Sequence, residues 1–164
     1  MSTFLEVVQV VVGGATVVGL CFAGWEVLRL VKEGRERARR EIAGVSVTWE
    51  TLESPTGPDS RGRARWRYKY VITNPGGMPI DNVECSVEFP LDVRRVRFNG
   101  EVEPPSRSIT LQQPVIVGGG QRTWTRTLEL DFAERAGLGN VSARVTFRDI
   151  ALEQHTNVWP RMVG

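Results

Sequence analysis

Few side chains in this sequence have the types and spacings that chemistry needs. His155 is the only histidine among 164 residues, and Cys21 and Cys85 are the only cysteines. No pair of them stands at a zinc-ligand spacing, and a lone imidazole supplies no triad. Glu101 with Glu103, and Asp131 with Glu134, are carboxylate pairs close in sequence. Such pairs act as acid and base only when burial and position drive their pKa values apart. Glu101 and Glu103 would share an outward strand face, so solvated surface is the expected role. Gly118-Gly119-Gly120-Gln121 lacks the lysine and hydroxyl of a phosphate loop and precedes a strand pattern, which predicts a hairpin turn. The expectation is a non-enzymatic protein with no catalytic residues, no metal site and no cofactor.

Arg63, Arg65, Arg67 and Lys69 recur every second residue, on the strand face opposite Trp66, Tyr68 and Tyr70. Basic residues interleaved with aromatics are a feature of nucleic-acid binders. Here the same period sends the rings into the core, where they cannot stack on bases, so nucleic acid is not expected. The row is read as a solvated face, with an acidic protein partner or anionic lipid as its functional alternative.

The elements that position these residues follow from hydrophobic period. After Gly44 the period is two: Val45, Val47 and Trp49 alternate, as do Trp66, Tyr68, Tyr70 and Ile72. The same holds for Val83, Cys85, Val87 and Phe89, for Trp124, Leu128 and Leu130, and for Val141, Ala143, Val145 and Phe147. Turn residues separate the runs, and Asn99-Gly100 predicts a tight hairpin whose two central residues take positive φ. Pro79, Pro90, Pro114 and Pro160 are expected at strand ends or on edges. Seven or eight short strands over residues 45–164 predict a mainly β fold, an antiparallel immunoglobulin-like β-sandwich.

The segment before it differs. Val7 to Trp25 is a run of 19 uncharged residues, long enough at 1.5 Å per residue to cross a hydrocarbon core of about 30 Å. A transmembrane helix is therefore expected over residues 7–28, behind a short tail at 1–6. No Lys or Arg precedes it, whereas Arg29, Lys32, Arg35, Arg37, Arg39 and Arg40 follow it in a juxtamembrane stalk at 29–44. That asymmetry predicts a single-pass protein of the inner membrane with its N-terminus outside and its C-terminal domain cytoplasmic. Ala15, Gly19 and Ala23 line one helix face and are candidates for close packing and homo-oligomer formation. From Ile42 onward 15 basic residues face 14 acidic ones, so the C-terminal domain is nearly neutral. Arginine supplies 19 of the 21 basic residues, a composition that suggests a bacterial coding sequence rich in GC.

Two stretches carry a resemblance. Thr73-Asn74-Pro75-Gly76-Gly77-Met78-Pro79-Ile80-Asp81-Asn82-Val83, with Thr146-Phe147-Arg148-Asp149 and Trp159-Pro160-Arg161, resembles actinobacterial single-pass membrane proteins that bear a C-terminal immunoglobulin-like domain. The resemblance implies that the first stretch opens a strand and that the second and third form the last hairpin. Arg148 and Asp149 beside Trp159 and Arg161 would then make a cross-strand ion pair and a cation–π contact. The function expected is a membrane-tethered interaction module whose β domain binds a protein partner. The alternatives are an extracytoplasmic domain that binds carbohydrate, cell-wall polymer or a surface protein, and a structural subunit of a membrane assembly.

Overall fold

The computed structural model describes Glu26 and residues 28–160. The expected span over 7–28 lies outside these residues except for Glu26 and Leu28. Among the described residues no helix is long and apolar enough to cross a membrane. The chain divides between Arg40 and Glu41. Before that point residues 28–40 are helical and exposed throughout. Arg29 reaches Glu33 at 2.8 Å and Arg40 reaches Glu36 at 3.8 Å, the i,i+4 pairs on which a helix without a buried face depends.

The second unit opens with helical residues 41–44 and continues as seven antiparallel strands. They are β1 (Ser46–Glu53), β2 (Arg63–Thr73), β3 (Ile80–Val96), β4 (Ser106–Ile116), β5 (Gln121–Asp131), β6 (Ser142–Arg148) and β7 (Gln154–Trp159), with a 3-10 segment, Phe132–Asn140, between β5 and β6. One ladder runs β1-β2-β5 and the other β4-β3-β6-β7. The long β3 belongs to both, because Arg94–Val96 leaves the second ladder and pairs with Leu128 and its neighbours on β5. The sheet therefore curls around a single core. The alternating runs supply that core: Tyr70, Ile72, Cys85, Val87, Leu128, Val145 and Phe147 are almost wholly buried.

Three local expectations are corrected. Pro90 is neither at a strand end nor on an edge; it lies within β3, between the register positions Glu88 and Val93, where the ladder to β4 is interrupted and no amide is required. Gly118-Gly119-Gly120 is not a hairpin turn, since β4 pairs with β3 whereas β5 pairs with β2 and β3, so the glycines cross from one ladder to the other. The Asn99-Gly100 turn exists, but only Gly100 has positive φ, at 84°. Its amide donates to Arg97 O, and Asn99 Oδ1 accepts from Glu101 N. That is a turn closed by one left-handed glycine, the three-residue alternative to the two-residue loop.

Burial pushes the Cys85 thiol up to about 12, so it is a protonated core side chain rather than a nucleophile. In a Cys21→Ser chain, a colorimetric thiol reagent should leave Cys85 unmodified in native buffer and titrate it fully in urea. Rapid native labelling would show that the core opens locally.

Candidate functional site

The strands close at two poles. At one, Glu41–Gly44 joins β1, and the loops 74–79, 117–120 and 149–153 gather. At the other, loop 54–62 and the 3-10 segment lie together, with Phe132 N donating to Gly62 O at 3.0 Å.

The richest surface chemistry is near this second pole, beside β1. A cavity of about 590 Å³ is lined by Trp49, Thr51, Ser54, Pro55, Trp66, Tyr68, Phe132, Arg135, Leu138 and Gly139. Strand period puts Trp66 and Tyr68 on the buried face of β2 and Trp49 on the corresponding face of β1. The 3-10 segment supplies the opposite wall: Asp131 Oδ1 accepts from Ala133 N and caps it, which carries Phe132 over the end of β2. The Trp66 and Phe132 rings stack with centroids 6.1 Å apart, and the Arg135 guanidinium sits 4.3 Å from the Phe132 centroid while donating to Phe132 O at 3.0 Å. Burial raises the Tyr68 hydroxyl above its ordinary pKa, opposed by a hydrogen bond with Thr51. Among the described residues no carboxylate, imidazole or thiol lines the cavity. It is an aromatic-walled slot with one cation and rim hydroxyls. Among the described residues the far edge of β1 has no ladder partner, since β1 pairs only with β2; Asn157 of β7 caps its start by donating to Val45 O at 2.8 Å.

The basic row faces outward, and each member meets a carboxylate of the same chain. Arg63 and Arg65 reach Glu129 at 3.4 and 3.0 Å, Arg67 reaches Glu53 at 2.8 Å and Lys69 reaches Glu50 at 2.7 Å. These partners come from β1 and β5, directly across in register, so three carboxylates offset four cations. Glu129 is buried beneath its two arginines. Surface pairs of this kind contribute at most about 1 kcal/mol each.

A second cavity of about 590 Å³ brings Arg67, Arg95, Arg97 and Arg126 around the fully exposed Phe98. Burial, aided by the charge of Arg95, lowers the Arg126 pKa. Glu101 and Glu103, read as solvated, bind Arg97 at 3.4 and 2.7 Å and balance part of that charge.

His155 is drawn into a cluster that its isolation in sequence hid. Its Nε2 lies 2.9 Å from Asp149 Oδ2, and the donor atoms of Asp149, Glu153 and His155 all fall within 4.8 Å of one another. The β6–β7 turn causes this: Asp149 Oδ1 accepts from the amides of Ala151 and Glu153, folding the loop so that His155 returns beside it. The His155 hydrogen bond, with those amides, holds the Asp149 carboxyl below its ordinary pKa. A depressed carboxyl stabilises the fold above its unfolded pKa and loses that contribution as pH falls through its folded value. Asp149→Asn should therefore cost about 1 kcal/mol at neutral pH, and the gap to the parent should close under acid. Urea titrations across pH measure it; a gap that widened in acid would refute the assignment.

The terminal motif is also wired differently from the expectation. Arg148 bonds Asp81 at 2.8 Å, across β6 and β3, and Asp149 bonds His155, while Trp159 stands opposite Ala143 in register. Arg161 lies outside the described residues, as do Ala15, Gly19 and Ala23. Arg29, Lys32, Arg35, Arg37, Arg39 and Arg40 are on the exposed helix.

No family model and no curated protein matches the chain. Among solved structures it is similar to the GAE domain of GGA2p from Saccharomyces cerevisiae, with 17% identity, a TM-score of 0.42, and coverage of 70% of this chain and 87% of that one. A FixG-related protein from Vibrio parahaemolyticus has 10% identity, a TM-score of 0.34, and coverage of 70% and 91%. The sporulation control protein Spo0M from Bacillus subtilis has 10% identity, a TM-score of 0.36, and coverage of 70% and 47%.

The aromatic cavity escaped sequence reading because its walls come from three separate segments. The available signal was Phe132-Ala133-Glu134-Arg135, an aromatic and a cation three residues apart just after a strand.

Proposed function

We propose that this chain is a membrane-tethered, non-enzymatic interaction module, whose immunoglobulin-like β-sandwich binds a segment of a protein partner on the cytoplasmic side of the inner membrane. The observation that carries the reading is the cavity between Trp49, Trp66 and Phe132, set beside the unpaired edge of β1. A partner strand can add its backbone to such an edge and drop one side chain into the neighbouring pocket. Buried aromatics at the floor and an arginine at the side suit an aromatic or aliphatic anchor followed by a carboxylate. The uncharged run from Val7 to Trp25 and the arginines after it support the tether and its direction.

A photo-crosslinking residue at Leu138 of the full chain, in native bacterial membranes, should give one protein adduct that Trp49→Ala abolishes. An adduct indifferent to Trp49, or none, would sink the cavity as the binding site. A phosphatase that is active only outside the cytoplasm, fused at the C-terminus, should be silent; its activity would favour the extracytoplasmic alternative.

A further inference from the structure

The pole at which Glu41–Gly44 joins β1 presents large apolar side chains on three separate turns. Met78, Val117, Ile150 and Leu152 are each more than half exposed. They occupy loop tips rather than one strand face. The buried Asn74 amide donates to Met78 O at 2.8 Å and to Val117 O at 3.2 Å, which ties two of the tips together. The third is tied through Asp81, which opens β3 just after Met78 and pairs with Arg148 at the start of the 149–153 turn. Further contacts stiffen the set: Gly119 N donates to Gly76 O at 2.8 Å, and Leu152 N to Asp149 O at 3.0 Å.

Leu152 is the most telling of them. Its φ is +63°, a left-handed conformation that glycine or asparagine adopts with far less strain than leucine. The turn accepts backbone strain to hold an apolar side chain out in water. Strain retained at an exposed position points to a use for the side chain. Three acidic groups of this pole are meanwhile occupied, Asp81 by Arg148, Asp149 by His155, and Glu41 by the amide of Gly77, while Glu153 stands exposed beside Asp149 and His155.

We propose that Met78, Val117, Ile150 and Leu152 form a collar that dips into the headgroup region of the bilayer and seats this pole of the β unit on the membrane surface. The proposal rests on the tether described under the proposed function. Only residues 26–40 separate the uncharged run from Glu41, a length of roughly 22 Å when helical. A tether that short raises the effective concentration of the pole at the surface to the order of millimolar, so a few apolar contacts suffice. The six basic residues of that linker draw it toward anionic headgroups. Tips spread over three separate turns suit a lipid surface better than a protein ligand. Seated in this way, the collar leaves the aromatic cavity at the opposite pole open to its partner.

The test uses the full chain with Cys21→Ser, reconstituted into bilayers of phosphatidylethanolamine and phosphatidylglycerol. A fluorophore is placed on Val117→Cys, on Leu152→Cys or, at the opposite pole, on Ser60→Cys in the exposed loop 54–62, and a lipid carrying a nitroxide near its headgroup is the quencher. Quenching at positions 117 and 152 should exceed that at 60 by roughly threefold or more, since interfacial side chains reach ~5–10 Å into the boundary. Equal quenching at all three overturns the collar while leaving the tether intact. Failure of the parent chain to float with vesicles overturns the tether and the collar with it. Leu152→Asn supplies a second readout: it should raise the thermal midpoint, by relieving the left-handed strain, while lowering quenching at Val117→Cys. Unchanged quenching in that variant would count against the collar.

Discussion

Asn74→Ala is expected to lower the unfolding free energy by about 3 kcal/mol and the thermal midpoint by roughly 10 °C. Asn74 is one of two buried polar or charged residues among those described, and it is 1% exposed. Its amide nitrogen faces the carbonyls of Met78, Ile116 and Val117 at 2.8, 3.3 and 3.2 Å, and its Oδ1 accepts from Gly76 N at 3.1 Å. Removing the side chain strands several buried groups at once. Asn74→Asp should be worse at neutral pH, because it sets a carboxylate against three carbonyl oxygens. Burial among acceptors raises that carboxyl's folded pKa, so its penalty is largest above the ordinary carboxylate range and recedes as pH falls and the group protonates. Chemical denaturation of both variants at neutral and acidic pH measures the difference. An Asp variant as stable as parent at neutral pH would mean that Asn74 does not tie these loops together.

The role of Asn74 shows how far local reading reaches. Thr73-Asn74-Pro75-Gly76-Gly77 announces a turn after a strand, and it is one. What the turn does depends on Gly118-Gly119-Gly120, more than forty residues later. Gly119 N donates to Gly76 O, and a side chain at Gly118 would collide with the carbonyl of Gly77. Two glycine-rich stretches that each resemble an ordinary hairpin turn are in fact halves of one junction. Their meeting is set by β4 and β5 lying in different ladders, a choice that no period of two can encode. The alternating runs themselves were legible because side-chain direction in a strand is a local property. Partnership is not local: the sequence sets Arg148 and Asp149 beside Trp159 and Arg161, whereas register places Arg148 against Asp81.

The basic row shows the same division. Its spacing was readable, and so was the face it occupies, because both follow from the strand period. Its neutralisation was not: Glu50, Glu53 and Glu129 come from strands on either side and are brought opposite by pairing. A row of four cations drawn from sequence overstates the charge that a partner meets. The cavity is the converse case, since Trp49, Trp66 and Phe132 read separately as core residues and become a site only where the 3-10 segment stops short of closing over β1.

Core and site can be separated by two phenylalanines. Phe147, fully buried on β6, packs 5.6 Å from the His155 ring and belongs to the main cluster. Phe147→Ala should cost about 3–5 kcal/mol, a large part of the marginal stability of a domain of this size. Phe132 is only partly buried, and its ring has Trp66 on one side and the Arg135 guanidinium within cation–π distance. Phe132→Ala removes a wall of an open cavity rather than hollowing out a sealed core, so its stability cost should be well under half that of Phe147→Ala. Its effect on partner capture should be the larger of the two at temperatures where both proteins remain folded. Denaturation midpoints set beside crosslink yield from Leu138 make the comparison. A Phe132→Ala chain that kept full yield would place binding elsewhere, with the arginines around Phe98 the next surface to test. Loss of yield in proportion to lost stability in both variants would reduce Phe132 to a core residue.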